Sequence, residues 1–132
     1  MTTVIQTDGS CIGNGKPHDY IGVAFSINGK IYSYRLFIEN ASSNEAEYYA
    51  IIMALVEAKK LGLQDLIVRA DSQLIIYQIT GKYSVKSDKM KDLWNYVRIL
   101  SSEFKNICFQ WIPREKNSGV DSAAKIASGV IR

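Results

Sequence analysis

The chain has 132 residues, of which 47% are hydrophobic and 22% are charged, and it carries a formal net charge of +3. This length and composition suit a globular protein with a real core, so we expect residues 1–132 to form a single domain. No apolar run approaches the roughly 20 residues of a membrane span, which excludes a membrane-spanning helix from the expected elements. The small positive excess permits contact with a polyanion but does not indicate one by itself.

Three β-prone segments open the chain. Residues 3–11 have a strand pattern with a polar end, and a loop rich in turn-forming residues follows. Residues 20–27 and 30–38 are joined by Asn28-Gly29. This dipeptide accepts positive φ at both central positions, so the sequence predicts a tight hairpin here.

The remainder alternates between helical and strand patterns. Residues 44–62 predict a helix, with Ser42 or Ser43 as its N-cap and Gly62 at its end. The later elements are a strand at 66–70, helices at 72–80 and 86–104, a strand at 107–112 and a helix at 118–129. Three antiparallel strands followed by strand–helix alternation predict an α/β fold. Its five-stranded mixed sheet would have three antiparallel strands, then two parallel ones, and helices on both faces.

Four carboxylates in separate segments are candidates for one metal site, namely Asp8, Glu47, Asp71 and Asp121. Asp8 and Asp71 fall where predicted strands end, the usual location of sites in open α/β sheets. Each alone is better explained as a turn or cap residue. Carboxylates about 5 Å apart repel by roughly 3 kcal/mol per pair at an effective dielectric near 20. Hard cations with oxygen ligands relieve such repulsion, so a converging set predicts a divalent-metal site.

A helical wheel separates the two glutamates of the 44–62 helix. Ile51 and Ala54 lie within about 60° of Glu47, whereas Glu45 lies about 160° away. We therefore predict that Glu47 faces the core and that Glu45 faces solvent. A buried carboxylate must be paired or metal-bound, although an acid at a helix start can also simply favour the helix dipole.

Asp121 is the least certain member of the set. The wheel of its helix places it away from the apolar side, which is formed by Ala123, Ile126, Ala127 and Val130. Two interpretations remain open: a solvated first-turn acid, or a ligand at the open rim of a metal site.

Four motifs occur in order, namely Asp8-Gly9-Ser10-Cys11 with Gly13-Asn14-Gly15, Asn44-x-x-Glu47, Asp71-Ser72-Gln73 and Asn117-x-x-x-Asp121. Each motif is weak alone. Together, and with the predicted element order, they resemble the type 1 ribonuclease H (ribonuclease HI) family over nearly the whole chain. The resemblance implies the ribonuclease H-like fold.

The resemblance also implies an activity. The chain would be a Mg²⁺-dependent endoribonuclease that hydrolyses the RNA strand of RNA–DNA hybrids by a two-metal-ion mechanism, giving 5′-phosphate and 3′-hydroxyl ends. The family's catalytic, metal-binding acids match Asp8, Glu47, Asp71 and Asp121. The implied cofactor is a pair of Mg²⁺ ions, with Mn²⁺ as the alternative.

The implied partner is an RNA–DNA hybrid, with double-stranded RNA as a second candidate. We expect a monomer without a membrane partner. Cys11 and Cys108 lack the spacing of a disulfide framework or metal site, which suggests a cytoplasmic setting.

Five polar residues match family positions that contact substrate. Asn14, Asn44 and Gln73 match those in the minor groove of the hybrid, and Ser42 and Ser43 match those at a DNA phosphate. Amide groups both donate and accept, so they suit base edges and the 2′-hydroxyl that distinguishes RNA from DNA.

The chain departs from the family where many members carry a basic helix with tryptophans. Only residues 81–86 fill that space. The lysines available to replace part of it are Lys82, Lys86, Lys89 and Lys91. A solvated face is the alternative interpretation, and we predict weak, salt-sensitive substrate binding.

A second departure is the absence of a histidine before the fourth acid, where some family members carry one. Arg114 is a candidate to assist product departure, or that step proceeds without a side-chain helper. The single histidine, His18, is predicted to be exposed rather than catalytic.

Two other functions suit the same fold. A non-catalytic nucleic-acid-binding domain would not need all four acids, and all four are present. A nuclease of the resolvase or integrase type is less well matched by the short chain and by the Glu47 helix directly after the hairpin.

Overall fold

The computed structural model describes residues 1–12 and 18–129. Within them, the strands are β1 Thr3–Cys11, β2 His18–Ile27, β3 Lys30–Ala41, β4 Asp65–Ala70 and β5 Asn106–Trp111. The helices are α1 Ser43–Lys60, α2 Gln73–Ile79, α3 Asp88–Ser101 and α4 Ser118–Ser128, with a 3₁₀ turn at Arg114–Lys116. Every predicted element is present, and no end differs from its prediction by more than about three residues.

The five strands form one mixed sheet in the order β3-β2-β1-β4-β5. β1, β2 and β3 pair antiparallel, whereas β1 with β4 and β4 with β5 pair parallel. The β2–β3 hairpin closes at Asn28 and Gly29, whose φ angles of 52° and 81° match the left-handed turn that the sequence predicted. The predicted α/β architecture is confirmed.

Serine side chains begin three of the helices. Ser42 caps α1, Ser72 caps α2 and Ser87 caps α3, each by accepting a hydrogen bond from a backbone N–H in the first turn. At α1 the cap is reciprocal, because the Glu45 side chain accepts from the Ser42 N–H at 3.2 Å. This capping box fixes the direction in which α1 leaves the sheet.

The prediction that Glu45 faces solvent is wrong, since its relative exposure is only 6%. Its carboxylate turns back toward Ser42 and is covered by Lys89 of α3, whose Nζ lies 3.4 Å from Oε2. Lys89 also donates to the Asn40 carbonyl at 3.1 Å. The helical wheel considered α1 alone, so it could not show that α3 packs alongside α1 and covers Glu45.

Two glycines of the sheet allow helices to approach on opposite faces. Gly22 is the register partner of Ser10, and adjacent strand residues face opposite ways, so Gly9 and Gly22 face different sides. A methyl group on Gly9 would overlap the α1 backbone, and one on Gly22 would overlap the α4 backbone. Helices therefore cover both faces, as predicted.

The buried side of α4 is not the predicted one. Its buried residues are Val120, Ala124 and Ser128, whereas Ile126 is 59% exposed. The small side chains of Ala124 and Ser128 allow the α4 backbone to lie against Gly22. This close packing, and not the position of the larger apolar residues, determines which side of α4 is buried. Val130, which was also assigned to the apolar side, lies outside the described residues.

Gly22→Ala is expected to destabilise the protein by about 1–3 kcal/mol, because the new methyl group would overlap the Ala124 carbonyl oxygen and the Ser128 nitrogen. Urea unfolding monitored by circular dichroism measures the effect. The matched control is Gly119→Ala within α4, where the nearest atom to an added methyl is the Ile31 Cδ1 at 3.7 Å. Equal unfolding free energies for both variants would contradict the close-approach explanation.

The main core lies between the sheet and the pair α1 and α3. Ile5, Phe25, Tyr48, Leu55 and Val97 are among its fully buried side chains. Among residues 1–12 and 18–129, no helix has both the length and the apolar content that a membrane crossing requires.

Candidate metal centre

Three carboxylates from three elements converge at one edge of the fold. Oxygen atoms of Asp8 in β1, Glu47 in α1 and Asp71 after β4 all lie within 4.8 Å of one another. Asp8 and Glu47 are buried, and Asp71 is half-buried. The predicted convergence of these three acids is therefore present.

The expected location at the end of a strand is correct for Asp71, which directly follows β4, but not for Asp8, which lies within β1. β1 continues to Cys11, and Asp8 pairs with Ala24 of β2. The parallel pairing of β1 with β4, however, stops at Thr7 and Ala70. Asp8 and Asp71 are thus the first residues beyond that pairing, which brings their side chains to the same place.

Glu47 enters the cluster from the first turns of α1. It is 8% exposed, and its Oε2 accepts no hydrogen bond from any described residue. The Gly9 backbone N–H lies near its carboxyl group and favours the ionised form, which partly opposes the effect of burial on the Glu47 pKa. The missing side chain at Gly9 lets the Glu47 backbone approach β1 closely enough for this contact.

Burial and mutual repulsion change the acidity of the cluster. Burial raises the pKa of Asp8 to about 7; the contact with the Glu47 carboxyl group opposes this rise, whereas Asp121 and the charge of Asp71 add to it. Burial, followed by the charge of Asp8 and a hydrogen bond to it, raises the pKa of Glu47 well above its usual range. In the absence of a cation, the cluster therefore retains protons at pH values where ordinary carboxyl groups are ionised.

The donor set suits a hard divalent cation. Carboxylate oxygens are the ligands that Mg²⁺ and related ions prefer. The Glu47 Oε2 is buried without a donor, which makes it an available ligand atom. A cation at Asp8, Glu47 and Asp71 would offset both the repulsion and the cost of burying charge.

Asp121 lies beside the three-carboxylate cluster, which favours the rim position among the two interpretations that the sequence left open. Its carboxyl group is near enough to that of Asp8 to raise the pKa of Asp8, and its side chain is only 18% exposed. Lys125, one turn further along α4, forms an ion pair with it at 3.2 Å. The rotated packing of α4 against Gly22 turns Asp121 toward β1.

Two further residues contact Asp71. Trp111 of β5 donates its indole N–H to the Asp71 carbonyl at 3.2 Å, and Asn117 donates its side-chain amide to the Asp71 Oδ2 at 3.1 Å. Asn117 was visible in the sequence only as part of a motif, with no role assigned. Trp111 was missed, although its place at the end of a strand parallel to β4 was a usable signal.

A family model described as reverse transcriptase-like matches residues 20–127. The bifunctional protein Rv2228c of Mycobacterium tuberculosis is 33% identical over 129 residues, covering 96% of this chain and 35% of that protein. The chain thus spans about a third of the length of the curated relatives that it matches first.

Solved structures of two ribonuclease H1 proteins are similar to this chain over nearly its whole length. Ribonuclease H1 from the halophilic archaeon Halobacterium salinarum matches with a TM-score of 0.86 and 28% identity, over 99% of this chain and all of that one. LC11 ribonuclease H1, isolated from compost by a metagenomic approach, was solved in complex with an RNA/DNA hybrid. It matches with a TM-score of 0.83 and 31% identity, over 97% of each chain.

The chain belongs to the type 1 ribonuclease H family.

In this ribonuclease H-like protein, the polar residues assigned to substrate differ in how accessible they are. Asn44, in the first turn of α1, and Gln73, at the start of α2, are both exposed. Ser43 is exposed too, whereas the Ser42 hydroxyl accepts the Glu45 N–H at 3.1 Å as the cap of α1. Asn14 lies outside the described residues.

The basic segment of this family member is partly committed to internal contacts. Lys82 lies 4.5 Å from the centre of the Tyr77 ring, and Lys89 pairs with Glu45. Lys86 and Lys91 are exposed. Of the four lysines that the sequence put forward, two thus make internal contacts and two are simply solvated.

Arg114, the candidate for product departure, and His18, the single histidine, are both exposed. Arg114 begins the 3₁₀ turn that leads to α4. His18 is exposed at the start of β2, as predicted, and its Nδ1 accepts the Tyr20 N–H at 3.2 Å.

Proposed function

We propose that this protein is a divalent-metal-dependent endoribonuclease that hydrolyses the RNA strand of RNA–DNA hybrids and leaves 5′-phosphate and 3′-hydroxyl ends. The observation that carries the proposal is the convergence of Asp8, Glu47 and Asp71 within 4.8 Å in a type 1 ribonuclease H fold. We include residues 1–132 as one catalytic domain, acting as a monomer in the cytoplasm.

The proposed catalytic groups are the four acids. Asp8 is central, because its carboxyl group interacts with Glu47, Asp71 and Asp121. Asp8, Glu47 and Asp71 would hold the first ion, and Asp121 would extend the donor set toward a second. When bound, Mg²⁺ or Mn²⁺ supplies Lewis-acid chemistry, which neutralises charge developing on phosphate oxygens and makes water a stronger nucleophile near neutral pH.

Substrate positioning is assigned to the exposed residues around the cluster. Asn44 and Gln73 begin two helices that flank it, and their amides would read the minor groove without strong sequence preference. The N-terminus of α1, with Ser42 and Ser43, suits a DNA phosphate, because backbone N–H groups and the helix dipole favour anions there. Asn14 completes the set through the family match alone.

Arg114 is proposed to assist product departure through its exposed positive charge near α4. Under this proposal, Arg114→Ala slows multiple-turnover cleavage while the first turnover keeps its rate. An unchanged multiple-turnover rate would remove Arg114 from the account.

Substrate affinity is expected to fall steeply with salt. Lys86 and Lys91 are exposed and, among the described residues, form no ion pair or ring contact, unlike Lys82 and Lys89. Replacing both with alanine should therefore reduce the slope of log Kd against log salt by about one per lost phosphate contact. Fluorescence anisotropy with a labelled hybrid in Ca²⁺ measures it. Lys59→Ala is the matched control, because Lys59 pairs with Glu103 at 2.8 Å at the far end of α1. An unaltered slope in the double variant would assign these lysines to a solvated face.

The proposed function is tested by cleavage of a matched substrate panel. Labelled RNA–DNA hybrid, duplex RNA, duplex DNA and a four-way DNA junction are incubated with the protein in Mg²⁺, in Mn²⁺ and in EDTA. We expect metal-dependent internal cleavage of the RNA strand of the hybrid. Preferred cleavage of the junction, or binding of the hybrid without cleavage in either metal, would refute the proposal.

A further inference from the structure

Asn117 contacts three parts of the candidate metal centre, a role that the sequence motifs did not predict. It is 1% exposed and lies directly before α4. Its amide Nδ2 donates twice, at 2.9 Å to the Thr7 carbonyl and at 3.1 Å to the Asp71 Oδ2. Thr7 immediately precedes Asp8, so one side chain links the strand that carries Asp8 to the carboxylate of Asp71.

The main chain of Asn117 is hydrogen-bonded to that of Asp121, the fourth acid. Its carbonyl accepts the Asp121 N–H at 3.0 Å, which begins α4. An asparagine at this position usually caps the helix through its side-chain oxygen. Here the side chain makes no cap hydrogen bond, because it is turned toward β1 and Asp71.

Turning the Asn117 side chain toward β1 leaves one buried polar atom without a partner, which starting α4 does not require. The Asn117 Oδ1 is buried and accepts no hydrogen bond from the part of the chain that the structure describes. A serine would cap the helix without burying such an atom, but it has one donor rather than two. The amide matches the two acceptors it meets.

The neutrality of the amide also matters. A lysine or arginine at this position would satisfy Asp71 but would place a positive charge beside the site where a cation has to bind. An amide donor orients the carboxylate and leaves its negative charge available. Asp121, in contrast, already has a cationic partner in Lys125.

We propose that Asn117 is a positioning residue that holds the Asp71 carboxylate in register with Asp8 and thereby sets the affinity of the centre for divalent ions. The inference rests on the proposed function only for the statement that the bound ion takes part in RNA cleavage; the effect on ion affinity does not depend on it. Residues that orient metal ligands in this way change metal affinity or activity by about 10- to 100-fold when they are replaced.

Calorimetric titration of Mg²⁺ and of Mn²⁺ into the full chain without substrate tests the proposal directly. Asn117→Ser and Asn117→Ala are each expected to weaken ion binding by about 10-fold or more. Serine retains helix-capping ability, so it separates the contact with Asp71 from the start of α4. The matched control is Gln6→Ala, which removes an exposed 2.9 Å bond from β1 to the Lys116 carbonyl in the same loop. Unchanged ion affinity in the folded Asn117 variants would overturn the proposal.

A second measurement needs no substitution. In the wild-type chain labelled with ¹⁵N-asparagine, the Asn117 side-chain amide resonances are expected to shift when Mg²⁺ binds, because their acceptor Asp71 becomes a ligand. Ion binding without such a shift would overturn the proposal even if both variants fail to fold.

Kinetics separates this inference from the proposed function. With hybrid as substrate, the Asn117 variants should lose kcat at low Mg²⁺, retain KM for the hybrid and recover activity at high Mg²⁺. If the wild type binds ions but cleaves no hybrid, the proposed function fails while calorimetry still decides the role of Asn117. Absence of ion binding by the wild type would overturn both.

Discussion

Asp71→Asn is expected to fold like the wild type and to lose hybrid cleavage by roughly 1000-fold or more. Metal-assisted charge stabilisation contributes several kcal/mol to a transition state, and each 1.36 kcal/mol corresponds to about tenfold in rate. The replacement removes the charge that a divalent ion requires. It retains an oxygen that can accept the Asn117 amide, so the surrounding hydrogen bonds remain. Gel-based initial rates in Mg²⁺, together with urea unfolding curves, measure both parts of the prediction.

The matched control is Asp65→Asn, at the opposite end of the same strand. Asp65 accepts the Asn106 amide at 2.6 Å on an exposed surface, outside the acidic cluster. This variant should retain the wild-type cleavage rate. Substantial Mg²⁺-dependent cleavage by Asp71→Asn would exclude Asp71 from the catalytic set, and equal losses in both variants would point to a general effect of altering β4.

The metal-free protein is expected to lose stability as the pH rises from about 4 to about 7. Burial raises the pKa of Asp8 to about 7, from 3.8 in an unfolded chain. The folded state therefore binds its proton more tightly, and this contribution to stability is complete below about pH 4 and is lost as the pH approaches 7. At about 1.4 kcal/mol per pKa unit, the loss is on the order of 4 kcal/mol, and Glu47 acts in the same direction.

Urea unfolding in EDTA at pH 5 and pH 8 measures the part of this loss that falls between those two values, about 2–3 kcal/mol for Asp8, and repeating it in Mg²⁺ measures its reversal. Mg²⁺ should stabilise the protein strongly at pH 8 and weakly at pH 5, because protons occupy the same oxygens at low pH. Asp8→Asn should flatten the pH dependence and raise metal-free stability at pH 8. Equal metal-free stability of wild type and Asp8→Asn at pH 8 would show that the cluster stores no such repulsion.

Much of the fold follows from local patterns in the sequence. The Asn28-Gly29 turn fixed the β2–β3 register, and serine caps and glycines marked the helix ends. The order of three antiparallel strands before strand–helix alternation then leaves few arrangements of a mixed sheet. Asp8, Glu47 and Asp71 were therefore predictable as a converging set.

The errors arose where one element packs on another. Glu45 was assigned to solvent because a wheel for α1 does not include Lys89 of α3, which covers it. The buried side of α4 was misassigned because Ile126 and its neighbours dominate the apolar pattern, and this left Asp121 open between solvent and the metal site. Close backbone approach at Gly22 determines the real rotation of α4. Hydrogen-bonding roles such as that of Asn117 require coordinates, since the partners are distant in the chain.

The glycines at positions 9 and 22 set limits on how this protein can be engineered. Filling glycines with alanine is a common route to thermostable variants. At these two positions the obstructing atoms belong to the main chain of α1 and α4, so no trimming of a neighbouring side chain could make room. The helix itself would have to retreat, and Glu47 or Asp121 would retreat with it. Replacement of glycines for heat resistance should therefore leave positions 9 and 22 unchanged, because alanine there would lower stability and would also displace acids that the proposed function assigns to turnover.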